Sequence, residues 1–205
     1  MLGNARAIIA LFGATVILGA LVGTASAGKL SSSNRNIRAT WATMKFELFE
    51  TSRLVTCPVT LEGSLHAGTI AKVAASLIGH ISRAALDPGG CNGGIATLLQ
   101  ATLPWHVRYQ GFTGTLPNIT SIRTHVVGLS LSIPEVFGIN SCLVTATATQ
   151  PLFIIFHRNV TTRALGSADI GGLIESTCPD GVAFYGGSSA LTLLGATTAI
   201  TVTLI

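Results

Sequence analysis

The chain has 205 residues, with 12 Lys and Arg against 8 Asp and Glu, a formal net charge of +4 and a hydrophobic fraction of 48%. Only 10% of its residues are charged, less than half of what an ordinary soluble domain carries. So thin a charge cannot build the clustered positive field that nucleic-acid binding requires, and a nucleic-acid partner is excluded.

The N-terminus reads as an address. Arg6 supplies a short positive region, residues 7–23 are apolar apart from Thr15, and Ala25-Ser26-Ala27 forms a small-residue cleavage signal. This pattern predicts a secretory signal peptide over residues 1–27. A retained anchor is the competing reading, but the apolar run is marginal for spanning a bilayer. Residues 28–36, "GKLSSSNRN", are small and polar and predict a flexible mature N-terminus. Residues 37–205 are then a single domain, with no membrane span once the leader is removed, in a secreted or cell-surface location. Its polar surface must come from Thr and Ser rather than from charges.

From there the prevailing signal is a period of two, which places one face on a core and the other in water. Met44, Phe46 and Leu48 alternate with Lys45 and Glu47. Val59, Leu61 and Leu65 alternate with Thr60, Glu62, Ser64 and His66. Residues 69–86 are mixed. Ile70, Val73, Ala74, Leu77, Ile78 and Ile81 recur at helical spacing, whereas "SLIGHISRA" alternates and Gly79 disfavours a helix interior. A short helix near 69–76 followed by a strand is expected. Further on, Leu129, Leu131 and Ile133 alternate with Ser130 and Ser132, and Ile200, Val202 and Leu204 with Thr201 and Thr203.

Gly and Pro clusters punctuate these runs at 87–94, 116–118, 134–141, 178–181 and 186–189. The whole predicts an all-β, antiparallel β-sandwich of about nine or ten strands, jelly-roll-like or Greek-key in connectivity. Cys57, Cys91, Cys142 and Cys178 include no C-x-x-C pair, and in an exported chain they predict two disulfides. Cys57–Cys91 and Cys142–Cys178 are preferred because each closes a loop within one half of the domain.

The stretch "TLPWHVRYQGFTGTLPNIT", residues 102–120, concentrates aromatic and charged side chains. In a strand, Trp105, Val107, Tyr109 and Gly111 share one face, and His106, Arg108, Gln110 and Phe112 the other. Trp105 and Tyr109, with His106 and Arg108 beside them, are the candidate ligand-binding residues, as a platform for a sugar or other flat ligand. The competing reading places the two aromatic rings in the core.

Catalytic patterns are thin. His66, His80, His106, His125 and His157 show no metal-ligand spacing, and no metal or cofactor is expected. Should histidines converge, His66, His106 and His125 lie on polar faces. "GLSLS" at 128–132 lacks the second Gly of a nucleophile elbow. "TIAK" at 69–72 puts Thr in place of Ser and has no companion motif. Glu47 and Glu62 are the least unsuitable carboxylate pair for glycoside hydrolysis. Asn118 and Asn159 begin N-x-[ST] sequons, which mark surface turns. In "FHRNVTTR", residues 156–163, His157, Arg158 and Arg163 read as solubilising charges or as a contact for an anionic envelope polymer.

These observations favour an exported, non-enzymatic protein with a structural or adhesive role. A small-ligand or carbohydrate-binding module and an outer-membrane β-barrel are the alternatives. Self-association through unguarded sheet edges is a further expectation.

Overall fold

A computed structural model describes residues 29–48, 53–133, 141–178, 182–194 and 200–204. The leader expected over residues 1–27 lies outside the described residues. The described chain is almost entirely antiparallel strand. In order these are β1 (Lys29–Ser32), β2 (Asn36–Leu48), β3 (Arg53–Leu65), β4 (Thr69–Ala71) and β5 (Leu77–Leu86). A 3₁₀ turn at Pro88–Gly90 leads to β6 (Thr97–Leu98), and another at Gln100–Thr102 to β7 (Trp105–Thr115). β8 (Asn118–Val127), β9 (Ser130–Ile133), β10 (Cys142–Thr145) and β11 (Leu152–Arg158) follow. β12 (Ala164–Ser176), β13 (Val182–Leu193) and β14 (Ile200–Leu204) complete the described set. Among the described residues no helix is long and apolar enough to cross a membrane.

All fourteen strands belong to one sheet. As a whole that sheet is not closed, since β4 and β6 end it. Within it, however, β11 pairs with both β8 and β12. The long strands β2, β3, β5, β7, β8, β11, β12 and β13 are therefore hydrogen-bonded side to side in a ring. The body is all-β and sandwich-like, as expected, with pairing that continues around both margins. The connectivity differs from the jelly-roll or Greek-key expectation. The ring strands follow one another around it in chain order and β13 returns beside β2, so the order is up-and-down. β9, β10 and β6 extend the sheet beyond β12, while β14, β1 and β4 form a short ribbon docked on the end of β12.

Alternation along each strand fills the interior. Met44 and Phe46 on β2, Val55, Cys57, Val59 and Leu61 on β3, and Leu152 and Ile154 on β11 are buried, each removed from water at roughly 1.5–3 kcal/mol for the larger side chains. Phe184 meets Phe46 edge-on, with ring centroids 4.8 Å apart. Both expected disulfides are formed. Cys57–Cys91 ties β3 to the turn after β5, and Cys142–Cys178 ties β10 to the segment after β12. Two intramolecular disulfides fit an oxidising environment.

Three local expectations are corrected. No helix forms near 69–76: residues 69–71 are β4, and the chain then turns through Ala75 at φ +63° into β5. Ile70 is buried against Leu30 of β1, but Val73 is exposed, so the apparent helical set never shares one environment. Residues 29–32, expected to be flexible, form β1, because Leu30 inserts between Ile70 and β14 and is completely buried. Glu62, expected on a wet face, is only 7% exposed. Arg38 and Arg83 stand opposite it on β2 and β5 and fold over its carboxylate. Arg38 Nη2 lies 2.6 Å from Oε1, and Arg83 Nη1 3.4 Å from Oε2.

Candidate functional site

Ring closure makes the two faces chemically unlike. Inward positions are apolar, yet they do not fill the space completely. Ala39 on β2 contributes one methyl, and inward positions 63 on β3 and 79 on β5 are glycines. At Gly63 and Gly79 the strands approach so closely that a Cβ at either would collide with the carbonyl oxygen of His80 or Ser64. Beside Ala39, Gly63 and Gly79 the interior holds a cavity of about 70 Å³, several times the roughly 10–15 Å³ that one water needs. Its walls come from Ile37, Trp41, Leu61, Ile122, Ile154 and Phe156, among others. At one end Ser32, Ile70 and Val202 of the β1–β4–β14 ribbon line it.

Polar groups reaching this cavity are few. Thr124 Oγ1 donates to the Ile154 carbonyl at 3.1 Å, which occupies its proton. Trp41 is different. Its side chain lines the cavity, the residue is 2% exposed, and Nε1 is buried with no hydrogen-bond partner among the described residues. The ring is held against β13 by Gly186, where a Cβ would lie 3.0 Å from Trp41 Cδ1. Its Nε1 edge faces Gly186 of β13, and a buried N–H without an acceptor costs about 1–3 kcal/mol.

The sequence-expected ligand residues do not come together. Trp105 is completely buried and donates through Nε1 to Thr102 Oγ1 at 2.8 Å, and Tyr109 is also buried. Burial raises the Tyr109 pKa. His106 and Arg108 lie on the outer face, where Arg108 Nη1 donates to the Ala75 carbonyl at 3.3 Å. Alternation separates the aromatic pair from the cationic pair, so the four build no common platform. Phe112 departs from the expected face because Gln110 sits in a bulge between Tyr109 and Gly111. The following residues are shifted by one position, and Phe112 packs against the core, with the Lys72 ammonium 5.7 Å from its ring centroid.

The outer face is charged and hydroxylated. His80 Nδ1 lies 3.4 Å from His66 Nε2, and His80 stands opposite His106 in register. Even so, no group of three or more His, Cys, Asp or Glu is placed to hold a metal among the described residues. His157 Nε2 meets Asp169 Oδ2 at 2.7 Å. Arg158, expected to be solubilising, instead turns inward because β11 ends against the ribbon. It is 7% exposed and donates to the Val202 and Ile119 carbonyls. The His157, Arg158 and Arg163 cluster is thus divided between a surface pair and a buried clamp.

His125 lies on the outer face between Arg108 of β7 and Phe153 of β11. Burial, and then the Arg123 charge, push its pKa below the ordinary 6.5. A depressed folded pKa means that this contribution to stability is full above the unfolded value and is lost as pH falls through the folded one. Wild-type unfolding midpoints therefore decline from about pH 7 to about pH 5 more steeply than those of His125→Gln. Parallel pH profiles for the two proteins contradict this.

The feature that sequence reasoning missed is the Trp41 cavity. Its only sequence signal is small residues, Ala39, Gly63 and Gly79, at inward positions of adjacent strands. Compared with known proteins, the chain matches no family model, no curated protein sequence and no solved structure.

Proposed function

We propose that this is an exported, non-enzymatic binding protein that holds a small apolar molecule inside its ring of strands. The observation that carries this reading is the apolar cavity among the strands of the ring, lined at one end by the β1–β4–β14 ribbon. Small-molecule sites are concave and mostly apolar, with few polar groups, and small antiparallel barrels with room inside hold one small ligand. Export is supported by the leader pattern together with the two disulfides.

The distribution of polarity weighs against an outer-membrane barrel. Lipid-embedded barrels carry an apolar outer band and a polar interior. Here Arg38, Arg83, His106 and Arg108 face outward while the interior is apolar. Adhesion through sheet edges gains little support, because the edge strands β4 and β6 have three and two residues. Pairing around the ring occupies the long edges.

Ala39→Leu tests the reading. The larger side chain occupies the cavity, and filling such a space commonly adds about 0.5–2 kcal/mol of stability. Cyclopentane is expected to raise the unfolding midpoint of the wild type through linkage and to leave that of Ala39→Leu unchanged. A wild type insensitive to the hydrocarbon contradicts the reading.

A further inference from the structure

We propose that the outer face of β2, β3, β5, β7 and β8 docks an anionic polysaccharide, one bearing carboxylates or sulfates, in acid and releases it near neutrality. This surface lies outside the ring and is independent of the cavity.

The five strands are neighbours in the sheet, and their outward positions gather basic side chains. Four of the chain's five histidines are here: His66 just beyond β3, His80 on β5, His106 on β7 and His125 on β8. Register sets them in rows. His80 stands opposite His106, and Arg108 opposite His125. His66 reaches across to His80, with ring centroids 5.5 Å apart. Further along the strands Arg38 and Arg83 flank Glu62, and Arg123 is exposed two positions from His125. Arg35, just before β2, donates through Nη1 to the His66 carbonyl at 3.4 Å. Acids are scarce. Among the described residues of these strands they are Glu62, already claimed by two arginines, and Glu47, at the far end of β2 beside the basic Lys45. On β11, the next strand of the ring, Phe153 and Ile155 face His125 and Arg123, so the basic face ends there.

The groups between the charges suit a sugar polymer. Thr40 and Thr60, with hydroxyls 3.2 Å apart, and Ser64 also point outward, and hydroxyls both donate to and accept from sugar hydroxyls. Single-stranded nucleic acid is held by base stacking on aromatic platforms, whereas Trp105 and Tyr109 are buried. A bilayer is flat and these strands curve around a ring, which a flexible polymer follows.

Histidine changes charge between about pH 5 and 8. Near neutrality the arginines alone attract the polymer, and in acid the four imidazoles add their charge to the same face. Cationic neighbours resist that protonation, as at His125, where burial and then Arg123 push the pKa below 6.5. A polyanion opposes the repulsion, so binding takes up protons and tightens as pH falls. Carboxylates ordinarily titrate near about 4, so the partner keeps its charge at about pH 5.5.

The test measures binding of polygalacturonate, dextran sulfate and uncharged dextran to the oxidised protein at about pH 5.5 and about pH 7.5. The anionic polymers are expected to bind about 10-fold more tightly at the lower pH, to weaken as salt is added, and dextran is expected not to bind. Preference for one anionic polymer identifies the group recognised and supports the proposal equally. The double variant Arg35→Gln/Arg83→Gln is expected to weaken binding several-fold at both pH values, as exposed charges do. His66→Gln/His106→Gln is expected to match the wild type at the higher pH and to lose most of the gain at the lower. His157→Gln, at the histidine outside this face, is expected to behave as the wild type. Absence of binding at about pH 5.5, binding that ignores pH, or a full pH response in His66→Gln/His106→Gln overturns the proposal. Single-stranded DNA or phosphatidylglycerol vesicles that bind as tightly as the anionic polymers overturn the assignment to a polysaccharide.

Discussion

Double replacement of Cys57 and Cys91 by serine lowers the free energy of unfolding by roughly 4 kcal/mol, and replacement of Cys142 and Cys178 lowers it by a similar amount. The bridges span 34 and 36 residues, and in the chain-entropy model each restricts the unfolded ensemble by about that much. Together they approach the whole stability of a typical domain, about 5–15 kcal/mol, so the fully reduced protein loses its cooperative transition. The two variants differ in where they loosen the fold. Cys57 sits inside the ring on β3, and beside it Thr56 exchanges two backbone hydrogen bonds with Asn92. Losing this bridge frees the 87–94 loop and weakens the ring wall. Cys142 lies on β10, whose register with β12 involves two residue pairs. Losing that bridge raises amide exchange first in β9, β10 and β6 while the ring stays protected. Urea unfolding followed with hydrogen exchange distinguishes the two. A reduced protein within about 1 kcal/mol of the oxidised one contradicts the account.

Arg158→Ala costs about 2–5 kcal/mol, because it strips two buried carbonyls of charged donors. The guanidinium donates through Nε to Val202 of β14 at 2.8 Å and through Nη1 to Ile119 of β8 at 2.9 Å. It is thus a clamp between the ribbon and the ring. Burial, and then the Arg163 charge, lower its pKa from the usual arginine value, but the group stays charged throughout the neutral range. Arg158→Lys retains a charge but loses the planar fork that spans both carbonyls, and its cost falls between wild type and alanine. In the alanine variant, exchange protection at Val202, whose amide bonds the Arg163 carbonyl, drops more than protection within β3. A loss below about 0.5 kcal/mol, the range of ordinary surface substitutions, contradicts the clamp.

The sequence made the strand faces legible and left the partners of each strand obscure. Met44 and Phe46 on β2, and Ile200 and Val202 on β14, are buried as their alternation requires. A period of two reports which side a residue faces, however, and says nothing about which strand lies alongside. Up-and-down order follows from short reversals such as Leu116–Pro117 between β7 and β8, whose weight is local and easily lost among so many Gly and Pro clusters. Bulges broke the alternation where it was extrapolated too far. The extra residue Gln110 turned Phe112 inward, whereas Glu62 keeps its outward position and is buried because Arg38 and Arg83 fold over it.

The candidate site was less legible for a physical reason. Aromatic and charged residues crowd the 105–112 stretch and draw attention, yet alternation itself sends Trp105 and Tyr109 one way and His106 and Arg108 the other. A cavity is a deficit of volume. It arises where Ala39, Gly63 and Gly79 face the same space from adjacent strands, and that coincidence exists only once register is known. Trp41 carries no local motif, and its indole is distinguished only by the acceptor it lacks.

Diffraction from crystals of the oxidised protein under xenon pressure tests most directly whether the ring encloses usable apolar space, since xenon enters dry apolar cavities. The account predicts a xenon atom among Ile37, Leu61, Ile122 and Ile154 in the wild type, and none there in Ala39→Leu. Wild-type crystals that take up xenon elsewhere but hold none inside the ring would contradict it.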